Sequence, residues 1–380
     1  MEHVNCLKEK WIFVQKIVSE MKRKRPYFLL FCIFVLFLSA CDTEEVQYTK
    51  EVQKTPEPEI KEESTPIEGT VLYVLFSLNV HDWTHAEESI ATLNKIVDIH
   101  EQYNVPIEIY LDDQVMQMYY EESPELVKRL RTSSVVAVSY HLRPPTPYYT
   151  GLEFDFIGLE NLDETTLRET LLDYEEHAID LETGEPTDEP GGYEFVKEVM
   201  GYAPLTVSGF EKFGKIGKIA SDIYNEKGAL FVVVHGKLGE EQLVVELGKK
   251  KDSLYARPST VDVRLFESVG QDTATVLQEA EQEALQAGVS PVFMSIKMHE
   301  DDFYADGVSP WRSVYYEENE KGRMVPQKPP YDIAAADDVA LLTEEDKDAI
   351  WQHYENAVAY VASREDFAAI NAFDLKEMVE

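Results

Sequence analysis

Short apolar segments alternate with helical segments from Thr70 onward, and this alternation restricts the possible folds more than any other feature of the chain. Residues 71–80 read VLYVLFSLNV, a nearly unbroken apolar run that is typical of a strand buried on both faces. Apolar side chains then recur at helical spacing as far as Tyr103. Because short strands that alternate with helices form parallel sheets covered on both faces, the sequence predicts an α/β fold. Further strands are predicted at 106–111, 134–140, 205–208, 229–234 and 291–297.

The extent of this alternation predicts one closed barrel rather than two domains. About 310 residues with this rhythm fit a (β/α) barrel of seven or eight mostly parallel strands over residues 70–380. The stretch 244–266 has the pattern of antiparallel strands, and we predict that it leaves the barrel. Ser123 is predicted to cap the helix that begins at Pro124. Helices are predicted at 90–103, 124–130, 163–178, 217–226 and 273–286.

Residues 21–41 carry the pattern of a secretory signal. The segment MKRKRPYFLLFCIFVLFLSAC combines a basic start, twelve residues without charge and small residues just before Cys41. Twelve residues rise only about 18 Å as a helix, which is too short to span a bilayer. LSAC resembles the bacterial lipobox, so Cys41 is predicted to be lipidated and to anchor the chain to a lipid bilayer outside the bacterial cytoplasm. The alternative is an uncleaved N-terminal anchor, and residues 1–20 are interpreted as a misassigned extension before Met21.

The composition restricts both the stability of the chain and its partners. Residues 42–69 are rich in Glu, Lys and Pro and predict a disordered acidic linker. Cysteine occurs only at positions 6, 32 and 41, so the predicted barrel contains no disulfide. With 35 basic and 72 acidic residues, the chain has a net charge of −37. This charge argues against nucleic acid as a partner and favours neutral or cationic ligands or a divalent metal.

Four of the nine histidines follow predicted strands. They are His81, His141, His235 and His299. The carboxyl ends of parallel barrel strands share one face, where active sites lie, so these side chains are predicted to converge there. Asp82, with His81 or His85, has the donor types that bind a divalent metal, and His141 would complete three protein ligands with one position left for water. The alternative is that Asp82 caps the following helix.

Three segments resemble the polysaccharide deacetylase superfamily. Residues 75–85, LFSLNVHDWTH, are similar to the first motif of that family, which in one branch reads roughly LSFDVEDWFH. His141-Leu-Arg-Pro-Pro ends the third predicted strand, where the family has its second, histidine-bearing motif. Residues 367–378, FAAINAFDLKEM, resemble the closing strand and helix. The resemblance implies a metal-dependent hydrolase on a (β/α) barrel that removes acetyl groups from a polysaccharide or oligosaccharide.

The resemblance also implies roles for individual residues. Asp82 and His141 match the metal carboxylate and the first metal histidine, with zinc (Zn²⁺) as the implied metal. His85 or His81 would supply the third ligand. His299 matches, more loosely, the late histidine that protonates the leaving group. We therefore predict His299 and His81 as catalytic residues, Asp82, His141 and His85 as metal ligands, and Arg143, His235 and Trp311 as substrate-binding residues.

Two departures from the family pattern keep other functions open. Asn79 stands at the position of the catalytic base and cannot take a proton, and Pro145 stands at the position of the second metal histidine. A non-catalytic carbohydrate-binding lipoprotein on the same barrel is therefore one alternative. Another is a glycoside hydrolase that uses paired carboxylates such as Asp112 and Asp302. The sequence has no P-loop, dinucleotide-binding glycine motif, GxSxG or HExxH, which argues against the enzyme classes that use them.

Two further segments carry open interpretations. Residues 303–338 are long, aperiodic and aromatic, which predicts a binding loop over the barrel mouth, with Trp311 available to sugar rings. The alternative is a loop held down by its own aromatic side chains. Residues 181–192, LETGEPTDEPGG, are acidic and carry either a Ca²⁺ site or a plain solvated turn, and the absence of EF-hand spacing favours the turn.

Overall fold

The computed structural model of the chain describes residues 71–149, 154–210, 214–234, 243–319 and 323–380. The predicted signal segment with Cys41, the predicted linker and His235 lie outside the described residues. The described part belongs to one unit, Ser64–Glu380. Its helices alternate with strands, and none of the helices in the described ranges is long and apolar enough to cross a membrane.

The helices and strands of the described residues follow the predicted rhythm. The strands are β1 (Leu72–Val80), β2 (Ile107–Leu111), β3 (Val136–His141), β4 (His177–Ile179), β5 (Pro186–Pro190), β6 (Thr206–Ser208), β7 (Phe231–Val232), β8 (Lys250–Lys251), β9 (Leu254–Ala256), β10 (Val261–Arg264), β11 (Val292–His299), β12 (Tyr316–Glu318), β13 (Met324–Pro326) and β14 (Phe367–Ala369). The helices are α1 (Ala86–Tyr103), α2 (Asp113–Glu122), α3 (Pro124–Thr132), α4 (Glu164–Glu176), α5 (Gly192–Met200), α6 (Gly214–Lys227), α7 (Thr273–Gln286), α8 (Pro310–Tyr315), α9 (Glu344–Ser363) and α10 (Ala372–Val379).

Ten of the strands form one curled sheet. Its order is β10-β11-β1-β2-β3-β6-β7-β9-β8, and β14 also pairs with β1. The described strand pairs of this sheet are parallel, except β8 with β9. The predicted α/β barrel of mostly parallel strands is therefore confirmed. Among the described strands, however, the sheet stays open between β10 and β8, where a closed barrel was expected.

The side chains of β1 alternate between two environments, as the pleat of a strand requires. Every second side chain from Leu72 to Val80 packs in the large core shared with the helices. The other face lines the inside of the curled sheet, where the side chains change along the strand direction. Near the strand starts the interior is apolar, with Leu75, Ala137 and Phe293 in one cluster. At the strand ends it carries histidines, so the curvature of the sheet brings them to one mouth.

A buried ion pair occupies the middle of this interior. Arg257 Nε lies 3.0 Å from Glu108 Oε2. The Arg257 guanidinium also donates to the hydroxyls of Ser77 at 2.7 Å and Ser295 at 3.3 Å. Ser139 donates to the other oxygen of Glu108 at 2.7 Å. Strands β1, β2, β3 and β11 and the segment after β9 are thus tied together by one network of charge-assisted hydrogen bonds.

The structure differs from two local predictions. Strands β8 and β9 are antiparallel, but β9 pairs with β7 and β10 with β11 in parallel, so the prediction that residues 244–266 leave the barrel was wrong. Their pairing partners lie far away in sequence, and local alternation does not identify them. Ser123 precedes α3 as predicted, but its side chain makes no capping hydrogen bond. Its carbonyl oxygen instead accepts from the N–H groups of Leu126 and Val127.

Candidate functional site

His81 follows β1 and lies at the mouth of the curled sheet. It is 1 % exposed, and both ring nitrogens lack a hydrogen-bond partner among the described residues. Its ring centroid lies 4.9 Å from that of His141, 5.4 Å from His299 and 5.6 Å from Trp311. Burial lowers the pKa of His81 well below its usual value, and the charge of Arg143 lowers it further. The mouth therefore holds a neutral imidazole with two unused hydrogen-bonding positions.

His141 ends β3, and its orientation is set by nearby backbone. Its Nδ1 lies 2.7 Å from the carbonyl oxygen of Leu142, to which it donates. Gly209, just after β6, has a φ of +90°. A Cβ at this position would lie 2.5 Å from Leu142 O and 3.0 Å from atoms of the His141 ring. Only glycine can therefore let the β6 segment approach this histidine so closely.

Arg143, two residues after β3, and Trp311, in α8, border His81. The Arg143 guanidinium carbon lies 4.8 Å from the Trp311 ring centroid, and one terminal nitrogen donates to Tyr149 at 3.0 Å. Trp311 packs with Phe154 and Tyr331 in an aromatic cluster. Arg143 Nε and Trp311 Nε1 are both buried without a partner in the described part of the chain. Trp311 thus anchors its loop, as one alternative predicted, and also borders the mouth.

His299 ends β11 and lies at the rim of the mouth. Its side chain is 48 % exposed. The register of β1 and β11 places it beside Asn79, whose amide nitrogen lies 3.4 Å from His299 Nε2. Its backbone N–H donates to Asp302 Oδ2 at 2.9 Å. His81, His141 and His299 are thus brought together, with the first two imidazoles buried and the third half-exposed at the rim.

Asp82 is fully buried, and its own neighbours engage its carboxylate. Oδ1 accepts from the backbone N–H of Thr84 at 2.9 Å and from the Thr84 hydroxyl, and Oδ2 accepts from the Tyr304 hydroxyl at 2.9 Å. His85 Nδ1 lies 3.4 Å from Oδ2, and the hydrogen bond with Asp82 raises the pKa of His85. Asp82 stabilises the turn before α1, although the N-cap position of that helix belongs to His85.

Glu300 and Asp301 lie behind this turn, and the sequence analysis did not single them out. Glu300 Oε1 accepts from the backbone N–H of His81 at 2.7 Å and from that of Asp82. Burial raises the pKa of Glu300 well above its usual value, and the carboxylates of Asp301 and Asp82 raise it further. The only sequence signal is the run HEDD after β11, which does not reveal which acid turns inward. Glu300 thus positions the backbone that carries His81.

The predicted metal ligands do not assemble into a metal site. In the described ranges, no group of three or more His, Cys, Asp or Glu side chains is arranged to hold a metal ion. Both oxygens of Asp82 are hydrogen-bonded within the chain and His85 contacts Asp82, whereas the His141 ring lies against His81. These donors do not fit a divalent metal such as Zn²⁺ as they stand. The individual roles assigned to these residues from the sequence stay predictions.

The two carboxylates of the glycoside hydrolase alternative both have local partners. Asp112 is buried and accepts from the N–H of Val115 at 2.7 Å, which caps α2. Asp302 accepts from the N–H of His299. Their contacts are those of residues that end a strand or begin a helix. They lend no support to a pair of catalytic acids.

Comparisons with known proteins give structural neighbours of low similarity. A 4-α-glucanotransferase from Thermococcus litoralis has a TM-score of 0.43 at 11% identity, and the match covers 81% of this chain and 40% of that one. A putative polysaccharide deacetylase from Mycobacterium smegmatis has a TM-score of 0.41 at 13% identity, with 82% and 91% covered. A probable polysaccharide deacetylase from Pseudomonas aeruginosa has a TM-score of 0.41 at 11% identity, with 81% and 91% covered. No protein-family model and no curated protein sequence matches the chain.

Proposed function

We propose that this protein binds a polysaccharide at the mouth of its curled sheet and does not hydrolyse it. The observation that carries this proposal is His81, a buried imidazole with neither ring nitrogen paired within the described residues. Buried polar atoms in folded proteins nearly always have a partner. A neutral imidazole donates one hydrogen bond and accepts another, which matches a sugar hydroxyl. The ligand would supply the missing partner.

The surroundings of His81 have the chemistry of a small-ligand site. Trp311 forms a buried aromatic wall beside His81, and its Nε1 and Arg143 Nε are donors without partners in the described part of the chain. His299 offers a half-exposed imidazole at the rim. Ligand sites combine apolar and aromatic walls with a few convergent polar groups. A neutral polymer rich in hydroxyl groups would satisfy these donors without opposing the net charge of −37.

The two positions that would start hydrolysis support binding rather than catalysis. Asn79 stands where a base is needed, and its amide nitrogen contacts His299. Asp82 accepts hydrogen bonds from Thr84 and Tyr304 with its two oxygens. The Asn79 amide cannot act as a base, and the carboxylate predicted to bind the metal already accepts hydrogen bonds within the chain.

Calorimetric titration with N-acetylated oligosaccharides of the chitin type tests this function. His81→Leu and His299→Ala should each weaken binding by about tenfold, because each removes a hydrogen bond to the sugar. His177→Ala, a change at a partly exposed histidine that pairs with Asp173 on α4, is the matched control and should bind as wild type. Unchanged binding by both mouth variants would overturn the proposal.

Metal-dependent deacetylation is the second candidate, because histidines from the ends of three strands meet at the mouth. It predicts that acetylated oligosaccharides release acetate when Zn²⁺ is added and that Asp82→Ala abolishes the release. Acetate release with these two properties would replace the binding function. Binding of the oligosaccharides without release of acetate would support the proposed binding function.

We also propose that the protein is held outside the cytoplasm by a lipid on Cys41. The support is the sequence LSAC after a short apolar segment. Metabolic labelling with a fatty-acid analogue should mark the wild type and not Cys41→Ser. Equal labelling of the two proteins would contradict the anchor.

A further inference from the structure

A groove of about 680 Å³ lies between α2 and the β4–β5 hairpin. Trp83, two residues after His81, is one of its lining residues, so the groove neighbours the mouth. We call it the α2 groove. Its lining includes Trp83, Tyr120, Phe195, Glu121, Glu122 and Glu189.

An aromatic side chain of the α2 groove is exposed to solvent and not packed in the core. Tyr120 is 55 % exposed, although large apolar side chains of a helix usually face the core. Its ring packs edge-to-face on Phe195, with 6.3 Å between the centroids. Trp83 Nε1 is buried and has no hydrogen-bond partner among the described residues. The groove therefore offers aromatic faces and one unused donor to a ligand.

The charged residues that line the α2 groove are all acidic. Glu121, Glu122 and Glu189 are exposed, and no lining residue is Lys, Arg or His. None of these three carboxylates forms an ion pair with a residue that the structure describes. Glu125, one helix later, is by contrast paired with Lys128 at 3.2 Å. Carboxylates next to aromatic faces favour an ammonium ion through both Coulomb attraction and cation–π contact.

We propose that the α2 groove binds a polysaccharide that carries free amino groups, that is, a de-N-acetylated amino-sugar chain. The proposal rests on the proposed carbohydrate-binding function and names the class of sugar. Ammonium groups of the chain pair with Glu121, Glu122 and Glu189, and the ring faces pack on Tyr120 and Phe195. The side-chain amides of Gln114 and Gln117 lie in the same groove. Gln114 accepts from the Tyr315 hydroxyl at 2.9 Å and Gln117 donates to Glu121, and their remaining hydrogen-bonding positions can pair with sugar hydroxyls. A reaction that removes N-acetyl groups must supply such a ligand.

Calorimetric titration of the full-length protein in detergent compares two hexasaccharides, one of glucosamine and one of N-acetylglucosamine. The glucosamine chain should bind about tenfold more tightly at low salt, and the advantage should shrink as salt screens the carboxylates. Glu121→Gln, Glu122→Gln and Glu189→Gln combined should remove this advantage. Glu279→Gln, Glu283→Gln and Glu377→Gln combined change three exposed acids outside the groove and should keep it. Tyr120→Ala should weaken binding of the glucosamine chain with little effect on folding.

The outcomes separate this inference from the function on which it rests. If the N-acetylated chain binds in a His299-dependent way and the groove variants change nothing, carbohydrate binding stands and the α2 groove proposal is overturned. If neither hexasaccharide binds, both are overturned. If oligolysine of equal charge competes as well as the glucosamine chain, the groove recognises a cationic peptide and the sugar assignment is overturned. If only the groove triple variant loses the preference for the glucosamine chain, and the control triple variant keeps it, the α2 groove proposal is supported.

Discussion

The buried ion pair in the middle of the curled sheet and the buried His81 at its mouth differ in whether their polar atoms have hydrogen-bond partners. In the middle, Glu108 and Arg257 are both nearly inaccessible, and each is paired with the other and with serine hydroxyls. At the mouth, His81 is equally inaccessible, yet neither of its ring nitrogens has a partner in the described chain. The ion pair and the mouth lie close together, because Ser77 and Ser139 contact the ion pair and are followed along the chain by His81 and His141.

Under the proposed function, the difference separates polar groups whose burial stabilises the fold from polar groups that a ligand would satisfy. Taking a charge out of water is costly unless a partner replaces the water, and each side-chain nitrogen and oxygen of the Glu108–Arg257 pair has a hydrogen-bond partner. An unpaired imidazole is less costly because it can stay neutral, and burial lowers the pKa of His81 accordingly. Unpaired buried groups in a native protein call for an explanation, and a bound ligand is one.

Breaking the ion pair of the middle should have the largest effect. Arg257→Met leaves the Glu108 carboxylate buried without its cation, which should lower the free energy of unfolding by about 3–5 kcal/mol. Urea unfolding followed by tryptophan fluorescence measures the loss. The double variant Arg257→Met/Glu108→Leu removes both charges and should recover most of the stability. If the double variant is as unstable as the single one, packing rather than charge is responsible.

A second buried carboxylate extends the comparison, because it is hydrogen-bonded but pairs with no cation among the described residues. Glu175 accepts hydrogen bonds from the hydroxyls of Tyr148 and Tyr224 and from the N–H of Tyr193. Burial raises its pKa from the ordinary value of 4.5 to about 7. Between these values the folded protein holds a proton that the unfolded chain has released. The proton on Glu175 therefore stabilises the folded protein fully below the unfolded pKa of 4.5. This stabilisation is lost as the pH rises through about 7.

Glu175→Gln should remove this pH dependence, because the amide does not titrate. Relative to the variant, the wild type should lose up to about 3 kcal/mol of unfolding free energy between about pH 4.5 and pH 8. Urea unfolding of both proteins across this range measures the difference. Parallel curves for the two proteins would show that Glu175 keeps an ordinary pKa.

The smallest effect on stability is expected at the mouth itself, and a paired histidine provides the control. His100 is fully buried, with Nδ1 2.8 Å from Val105 O and Nε2 2.7 Å from the Tyr354 hydroxyl. His100→Leu should cost about 1–3 kcal/mol, because it leaves buried partners unsatisfied. His81→Leu breaks no side-chain hydrogen bond with a described residue and should change stability by less than about 1 kcal/mol. Thermal unfolding compares the two variants, and an equal loss in both would remove the distinction between the middle and the mouth.

Much of the fold could be predicted from the sequence, because its main signal is local. The apolar run of β1, the helical spacing that follows it and the closing segment 367–378 all appear in the structure nearly as predicted. Four helices were missed, namely Asp113–Glu122, Gly192–Met200, Pro310–Tyr315 and Glu344–Ser363. Asp113–Glu122 and Gly192–Met200 bury one face against neighbours that are remote in sequence, and neither has the long apolar periodicity that predicts a helix.

The sequence alone determined that His81, His141 and His299 would meet, because the ends of parallel strands in a curled sheet share one face. Only the tertiary structure decided which hydrogen bonds form around these histidines. The Tyr304 hydroxyl, 222 positions after Asp82, donates to one oxygen of the predicted metal carboxylate. Glu300 accepts from the backbone N–H groups of residues 81 and 82. Strand periodicity depends on neighbours two residues apart, whereas these hydrogen bonds join segments that become neighbours only when the sheet curls and β11 pairs with β1.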